Sequence, residues 1–187
     1  MIVHVYTWFT HGGVEANLQR DGRVFFSTYE GAIDAKGRVS IPAPFRAALG
    51  GNTRVFIWIA PDGSGALEGG GEALMELYAE TLAELPLQSP VREAFVTAVI
   101  AGSADLKIDD TGRIKLPEEF CAAAGLTDRI RFTGAIESFK IWDPARFDTH
   151  RKRQATVAQH PETLDAFHAA YRDVRRRRAA SLRGEAG

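Results

Sequence analysis

Residues 33–50 read IDAKGRVSIPAPFRAALG, and residues 108–125 read IDDTGRIKLPEEFCAAAG. The two stretches align without a gap at an offset of 75. Nine of the eighteen positions are identical: Ile33/Ile108, Asp34/Asp109, Gly37/Gly112, Arg38/Arg113, Pro42/Pro117, Phe45/Phe120, Ala47/Ala122, Ala48/Ala123 and Gly50/Gly125. Val39/Ile114 and Ile41/Leu116 keep their character. The register extends downstream, where Arg54-Val55 meets Arg129-Ile130 and Leu67-Glu68 meets Trp142-Asp143. A match held that long marks two copies of one structural unit.

Within each copy, Asp-x-x-Gly-Arg lies between two short apolar runs. Ala104, Leu106 and Ile108 alternate with Asp105, Lys107 and Asp109, the period of a half-buried strand. Ile114 and Leu116 alternate around Lys115. The glycine gives a tight turn its backbone freedom, and the aspartate can accept hydrogen bonds from turn amides. The unit therefore reads as strand, turn, strand. Pro42 or Pro117 then starts a short helix, Gly50 or Gly125 suits its end, and another strand follows. One copy is too small to bury much apolar surface alone. Two in one chain can pair around a shared core, as two subunits would.

These paired motifs, with PLQSPVREAF at 86–95 between them, resemble the MraZ family. The resemblance covers roughly residues 26–150 and implies a bacterial transcriptional regulator with two AbrB-like (SpoVT/AbrB) units per chain. The implied fold is α+β: two tandem swapped-hairpin β units form a pseudo-two-fold β-barrel core, with connecting and C-terminal helices. The expected organisation is an extension at 1–26, a first unit at 27–76, linking helices at 77–102, a second unit at 103–147 and a basic helical extension at 148–187. The resemblance further implies control of a division and cell-wall gene cluster, by repression, from a ring-shaped homo-oligomer on repeated promoter DNA. A cytoplasmic, nucleoid-associated protein follows from it.

Composition sets bounds. A chain of 187 residues with 45% hydrophobic content can build a core. No apolar run approaches the roughly 20 residues of a membrane helix, so no membrane partner is expected. The single cysteine, Cys121, cannot form an internal disulfide, which suits a reducing compartment. Net charge is −1, but from Pro144 onward ten Lys/Arg face five Asp/Glu, leaving thirteen against nineteen before it. Phosphate contacts by the body must therefore come from a local cluster.

Along the chain, residues 1–23 have no clear period and read as a disordered extension, a product of start-site choice or an accessory arm. The glycine-rich passage 63–71 lacks the Lys-Ser/Thr of a Walker loop and reads as a hairpin tip leading into a helix. Leu74, Leu77, Tyr78, Leu82 and Leu85 mark one helix face, and Val91, Ala94, Phe95, Ala98 and Val99 mark another after the Ser89-Pro90 start. After Asp143-Pro144, a helix to about His160 is expected, then a last amphipathic helix with Leu164, Phe167, Tyr171 and Val174. Its Arg175–Arg178 end reads either as a solvated tip or as an auxiliary DNA contact.

The chemistry points to double-stranded DNA. An arginine fork matches a phosphate or the O6/N7 edge of guanine, and two-stranded ribbons fit the major groove. The candidate DNA-binding residues are Lys36, Arg38 and Arg113. Lys36 has Thr111 as its counterpart, so the first turn is expected to dominate. The competing reading is that each arginine braces its turn by pairing with Asp34 or Asp109. Enzyme chemistry is not expected: the five histidines lie outside the repeats without metal-ligand spacing, Cys121 sits where the first copy has Arg46, and no nucleotide fingerprint appears. No metal or cofactor is implied. A purely structural ring or interaction module is the alternative, and it would not need basic turns.

Overall fold

The structure, a computed structural model, describes residues 24–184. The expectations for residues 1–23 lie outside the described residues. The chain divides into two units, Met1–Pro144 and Ala145–Gly187.

The first unit is α+β. Its elements are β1 (Thr28–Ala32), β2 (Arg38–Ser40), α1 (Ala43–Ala48), β3 (Arg54–Ile59), β4 (Leu67–Gly70), α2 (Glu72–Ala83), α3 (Pro90–Phe95), β5 (Ala104–Lys107), β6 (Arg113–Lys115), α4 (Glu118–Ala124), β7 (Arg129–Ala135) and β8 (Ser138–Trp142). Six strands form an antiparallel sheet in the order β1-β7-β8-β4-β3-β5, and β2 pairs with β6 as a separate ribbon.

This order means that the repeats exchange strands. β1 of the first repeat pairs with β7 of the second, and β5 of the second pairs with β3 of the first. The pairings are equivalent: Ala32 faces Arg129, and Lys107 faces Arg54, each residue displaced by 75. In the ribbon, Val39 faces its own counterpart Ile114. Each repeat thus completes its sheet with the other's strand, which answers the burial problem of a unit too small to stand alone. The hydrogen bonds among the described residues do not close the expected barrel. β1 and β5 end the sheet, and the three-residue β2 and β6 spend their ladder on each other, leaving one bridge, Ile33 to Val39, along the first hairpin.

The register also departs from the sequence alignment in one place. Phe56 faces Gly70 and Arg131 faces Trp142, so the offset of 75 at β3/β7 becomes 72 at β4/β8. Leu67 corresponds to Phe139, not to Trp142, since they face Ile59 and Gly134 respectively. Between the equivalent pairs Ile59–Leu67 and Gly134–Phe139, the β3–β4 connection is longer by three residues, which absorbs the shift. The glycine-rich passage likewise does more than turn. Leu67–Gly70 is a core strand, and a Cβ on Gly69 would lie 2.5 Å from Ile57 Cδ1 and 2.7 Å from Phe139 Cζ. A larger residue there would force those two buried side chains to shift.

The core gathers Val39, Ile41, Phe45, Val55, Ile57, Ile114, Leu116, Phe120, Ile130, Phe132, Phe139 and Ile141 from both repeats. Phe45 sits centrally, with its ring centroid 5.3 Å from Phe25, 5.2 Å from Tyr29 and 5.5 Å from Phe139. Phe25 belongs to this core although the sequence reading leaves it in the extension. It is 3% exposed, and its amide donates to the Ile136 carbonyl at 2.8 Å. The packed body therefore begins before β1.

The linking helices follow their sequence patterns in part. Leu82 of α2 is buried, and Tyr78 meets Trp58 of β3 edge to face at 5.8 Å. Ser89 caps α3 by accepting the Arg92 amide. α3 then continues as a π-helical segment, Val96–Ala101. The wider turn breaks the 3.6-residue period assumed for this stretch, so Val99 is buried while Val91 and Phe95 remain exposed. The second unit holds α5 (Pro144–Ala158) and α6 (Pro161–Gly184), divided at Pro161 as the sequence indicates. No helix of the described residues is long and apolar enough to cross a membrane.

Phe25→Ala removes a fully packed ring and should lower the stability of the body by about 3–5 kcal/mol. Urea unfolding of the full chain checks this; a loss below about 1 kcal/mol would show that the segment before β1 does not pack as described.

Candidate nucleic-acid interface

The site is the outer side of the β2–β6 ribbon and the turn leading into each strand. Strand alternation sorts the side chains. Val39 and Ile114 point into the core, at 0% and 1% exposure, so Arg38, Ser40, Arg113 and Lys115 occupy the opposite face. Arg38 lies across from Lys115, and Ser40 across from Arg113.

Both turns have one construction. In the first, the Asp34 amide donates to the Arg38 carbonyl and the Gly37 amide to the Asp34 carbonyl, each at 2.9 Å. Asp34 Oδ1 accepts the amides of Lys36 and Arg38, both at 2.9 Å. In the second, Asp109 Oδ1 accepts the amides of Thr111 and Arg113 at the same distance. Gly37 and Gly112 stand at φ of 74° and 79°, a conformation that favours glycine. Each turn is also tied to the other repeat. The Leu116 amide donates to the Gly37 carbonyl, and the Ile41 amide to the Gly112 carbonyl, both at 3.0 Å.

The second oxygen of each aspartate holds the arginine. Arg38 Nε and Nη2 donate to Asp34 Oδ2 at 2.8 and 2.7 Å, and Arg113 Nε donates to Asp109 Oδ2 at 3.2 Å. The bracing reading of the sequence is therefore present in the structure. It does not consume the arginines: Arg38 and Arg113 side chains are 31% and 33% exposed, and Lys36 is exposed. Arg38 directs two of its three guanidinium nitrogens, Nε and Nη2, to Asp34. The brace holds the fork in place, which lowers the entropy lost when it meets an anion.

The two turns differ in their remaining charges. Thr111, which replaces Lys36, donates its hydroxyl to Asp109 Oδ1 at 2.7 Å. Arg46 of α1 compensates. Its Nη1 donates to the Ile41 carbonyl at 2.5 Å, and its guanidinium covers Gly112, where a Cβ would lie 2.7 Å from Nη1. Gly37 has no such cover, because the counterpart of Arg46 is the short Cys121. Counting residues 34–38 and 109–113 alone gives +1 and −1, the second including Asp110. Arg46 brings the second turn to 0 and narrows the difference from two charges to one.

Sequence reading places Lys36, Arg38 and Arg113, and the structure brings all three to this ribbon. It misses Arg46 and Lys115. Lys115 was available from strand alternation; Arg46 was not, since nothing in the sequence shows that α1 of one repeat reaches the other's turn. Cys121 is half-buried, and burial pushes its thiol up, away from an activated nucleophile.

The hydrogen bonds from Arg38 hold the Asp34 carboxyl down to about 2, and those from Thr111 and Arg113 hold Asp109 well below the usual carboxylate range. A lowered folded-state value makes the contribution complete above the unfolded value near 4 and lost as pH falls through 2. Wild type and Asp34→Ala should therefore differ in melting temperature by a constant amount from pH 8 to pH 5 and converge toward pH 2. A difference that shrinks already between pH 7 and pH 5 would contradict the braced turn.

Comparison with known proteins places this chain in a family. The profile of the MraZ protein family matches twice, over residues 24–96 and 99–167, with one braced turn in each match. Transcriptional regulator MraZ of Hyphomonas neptunium is 68% identical over 164 residues, covering 88% of this chain and 99% of that protein. The proteins of the same name from Caulobacter vibrioides and Phenylobacterium zucineum are 37% identical over 149 residues and 39% identical over 137 residues. These cover 80% and 73% of this chain and 94% and 85% of the relatives. With two family matches spanning both repeats, the chain belongs to the MraZ family of transcriptional regulators.

Proposed function

We propose that this chain is a sequence-specific DNA-binding regulator, not an enzyme, and that the β2–β6 ribbon with its two braced turns enters the major groove. The observation that carries this reading is the outward row of Arg38, Lys115 and Arg113, with each arginine fixed by its own aspartate. A two-stranded ribbon suits the groove width, and a fixed guanidinium suits bidentate contact with guanine or phosphate. Lys36 and Arg46 supply charge at the two ends. The family and the names of the relatives support regulation of transcription; repression of a division and cell-wall gene cluster, at the nucleoid, is the form we infer. A structural ring module remains the second reading, favoured by the exposed Leu87 before α3 and the exposed Val91 and Phe95 on it.

One ribbon makes few phosphate contacts, and the first 143 residues carry an excess of six acidic groups. A lone reader should bind weakly. A ring-shaped homo-oligomer, assembled head to tail, sets neighbouring readers on successive copies of a short DNA repeat. Later contacts then become intramolecular, raising avidity by about 10² or more.

Two variants separate contact from bracing. Arg38→Ala should abolish specific binding, whereas Asp34→Ala should weaken the turn yet retain salt-sensitive binding, because the cation survives. Equal losses in both, tracking stability rather than charge, would reduce Arg38 to a brace. Fluorescence polarisation with a salt series on DNA from upstream of the gene checks this. Arg46→Ala should lower affinity and reduce the salt slope by about 1 if the guanidinium meets phosphate.

Avidity has its own test. Affinity should fall at least tenfold when the target is cut from several repeats to one at fixed salt. Equal affinity for single and multiple repeats would rule out the ring mechanism even with Arg38 essential.

A further inference from the structure

α6 carries a seam that the ribbon does not use. Leu164, Phe167, Tyr171 and Val174 follow one another at spacings of three, four and three residues, and Arg178 and Ser181 continue the series. This is the a/d alternation of a coiled coil. The four apolar side chains are exposed at 42%, 63%, 54% and 40%. Phe167 and Tyr171 stack at 6.3 Å, and the Arg175 guanidinium lies 6.0 Å from the Tyr171 ring. The helix's acidic residues, Glu162, Asp165 and Asp173, fall at positions off the seam. Phosphate contact accounts for the arginines but not for four apolar residues in one line.

We propose that this seam is covered by α6 of a second copy of the chain, packed antiparallel. Charge decides the direction. Residues 161–170 hold Glu162 and Asp165 and no Lys or Arg, whereas residues 171–180 hold Arg172, Arg175, Arg176, Arg177 and Arg178 against Asp173 alone. A parallel pair would set Arg178 against Arg178 on the seam, with Arg175 and Arg177 beside it. The antiparallel pair lays each arginine-rich half along an acidic half. Its apolar layers match in size: Leu164 meets Val174, and Phe167 meets Tyr171, about a two-fold axis level with Ala169. Such a contact is isologous and closes at two copies. It therefore differs in kind from head-to-tail contacts that build a ring, and it stands or falls apart from DNA binding.

The test uses the full chain. Sedimentation velocity at tens of micromolar should show the largest species of wild type fall to half its mass in the double variant Phe167→Glu, Tyr171→Glu, with the melting of the body unchanged. Direction is read by mixing Thr163→Cys chains with Arg177→Cys chains, both carrying Cys121→Ser, and adding a short bismaleimide. The mixed cross-link should dominate. Cross-links of 163 to 163 and 177 to 177 would overturn the antiparallel arrangement. An unchanged mass without mixed cross-link would overturn the pairing itself. If the double variant keeps its mass but loses DNA affinity with a flatter salt slope, α6 is a phosphate contact and the proposal is wrong.

Discussion

The exchange of strands between the two repeats is the constraint on which the rest depends. β1 and β5 have no partner in their own repeat and find one 101 positions away in the case of Glu30 and Arg131. Everything between must allow that meeting. The linking helices bridge the repeats, and the core is drawn from both, so neither repeat has a core to keep on its own. Joining the two in one chain turns what would be a bimolecular association into a loop closure, whose cost grows only slowly with length. Fusion also frees the repeats to differ, because a change in one is no longer copied into the other.

The turns show what was kept and what was released. Asp, Gly and Arg are kept because three separate demands fall on them. The aspartate must satisfy two amides with one oxygen and hold a guanidinium with the other. The glycine must take positive φ. The arginine must reach back to the aspartate while its side chain stays about one-third exposed. Lys36/Thr111 and Arg46/Cys121 carry none of these demands, and there the repeats diverge. Thr111 adds a hydrogen bond to Asp109, while Arg46 closes over Gly112 and buries it. The second turn is therefore the more covered, and the first, with the closer arginine brace, the more open.

This division also explains how much was legible beforehand. The repeat, the strand-turn-strand unit and the helix starts at Pro42 and Pro117 were readable because local geometry dictates those residue types. The braced arginines were readable as one of two alternatives, and the structure shows that the brace and an exposed cation coexist. What escaped was set by tertiary contact. The alignment of Leu67 with Trp142 fails because a longer hairpin connection leaves an apolar-acidic pair in a chance register. Phe25 escaped because its burial depends on the β7–β8 hairpin, far along the chain. Arg46 escaped because its target belongs to the other repeat, and the π-helical turn because a single wide turn leaves no periodic signal.

The inequality of the turns bears on how a duplicated reader would meet DNA. A reader with true two-fold symmetry presents the same face to both strands and suits palindromic sites. Here the ribbon pairs Arg38 with Lys115 on one side and Arg113 with Ser40 on the other, and the turns differ by one charge after Arg46 is counted. The fold is close to symmetric while the chemistry is not. Such a ribbon has a preferred direction along the duplex, since reversing it exchanges the Lys36 end for the Arg46 end. On the proposed reading, that polarity matches repeats arranged head to tail, the same arrangement that ring assembly imposes on the readers. An inverted repeat would ask alternate readers to dock backwards, placing the more acidic turn where the more cationic one fits.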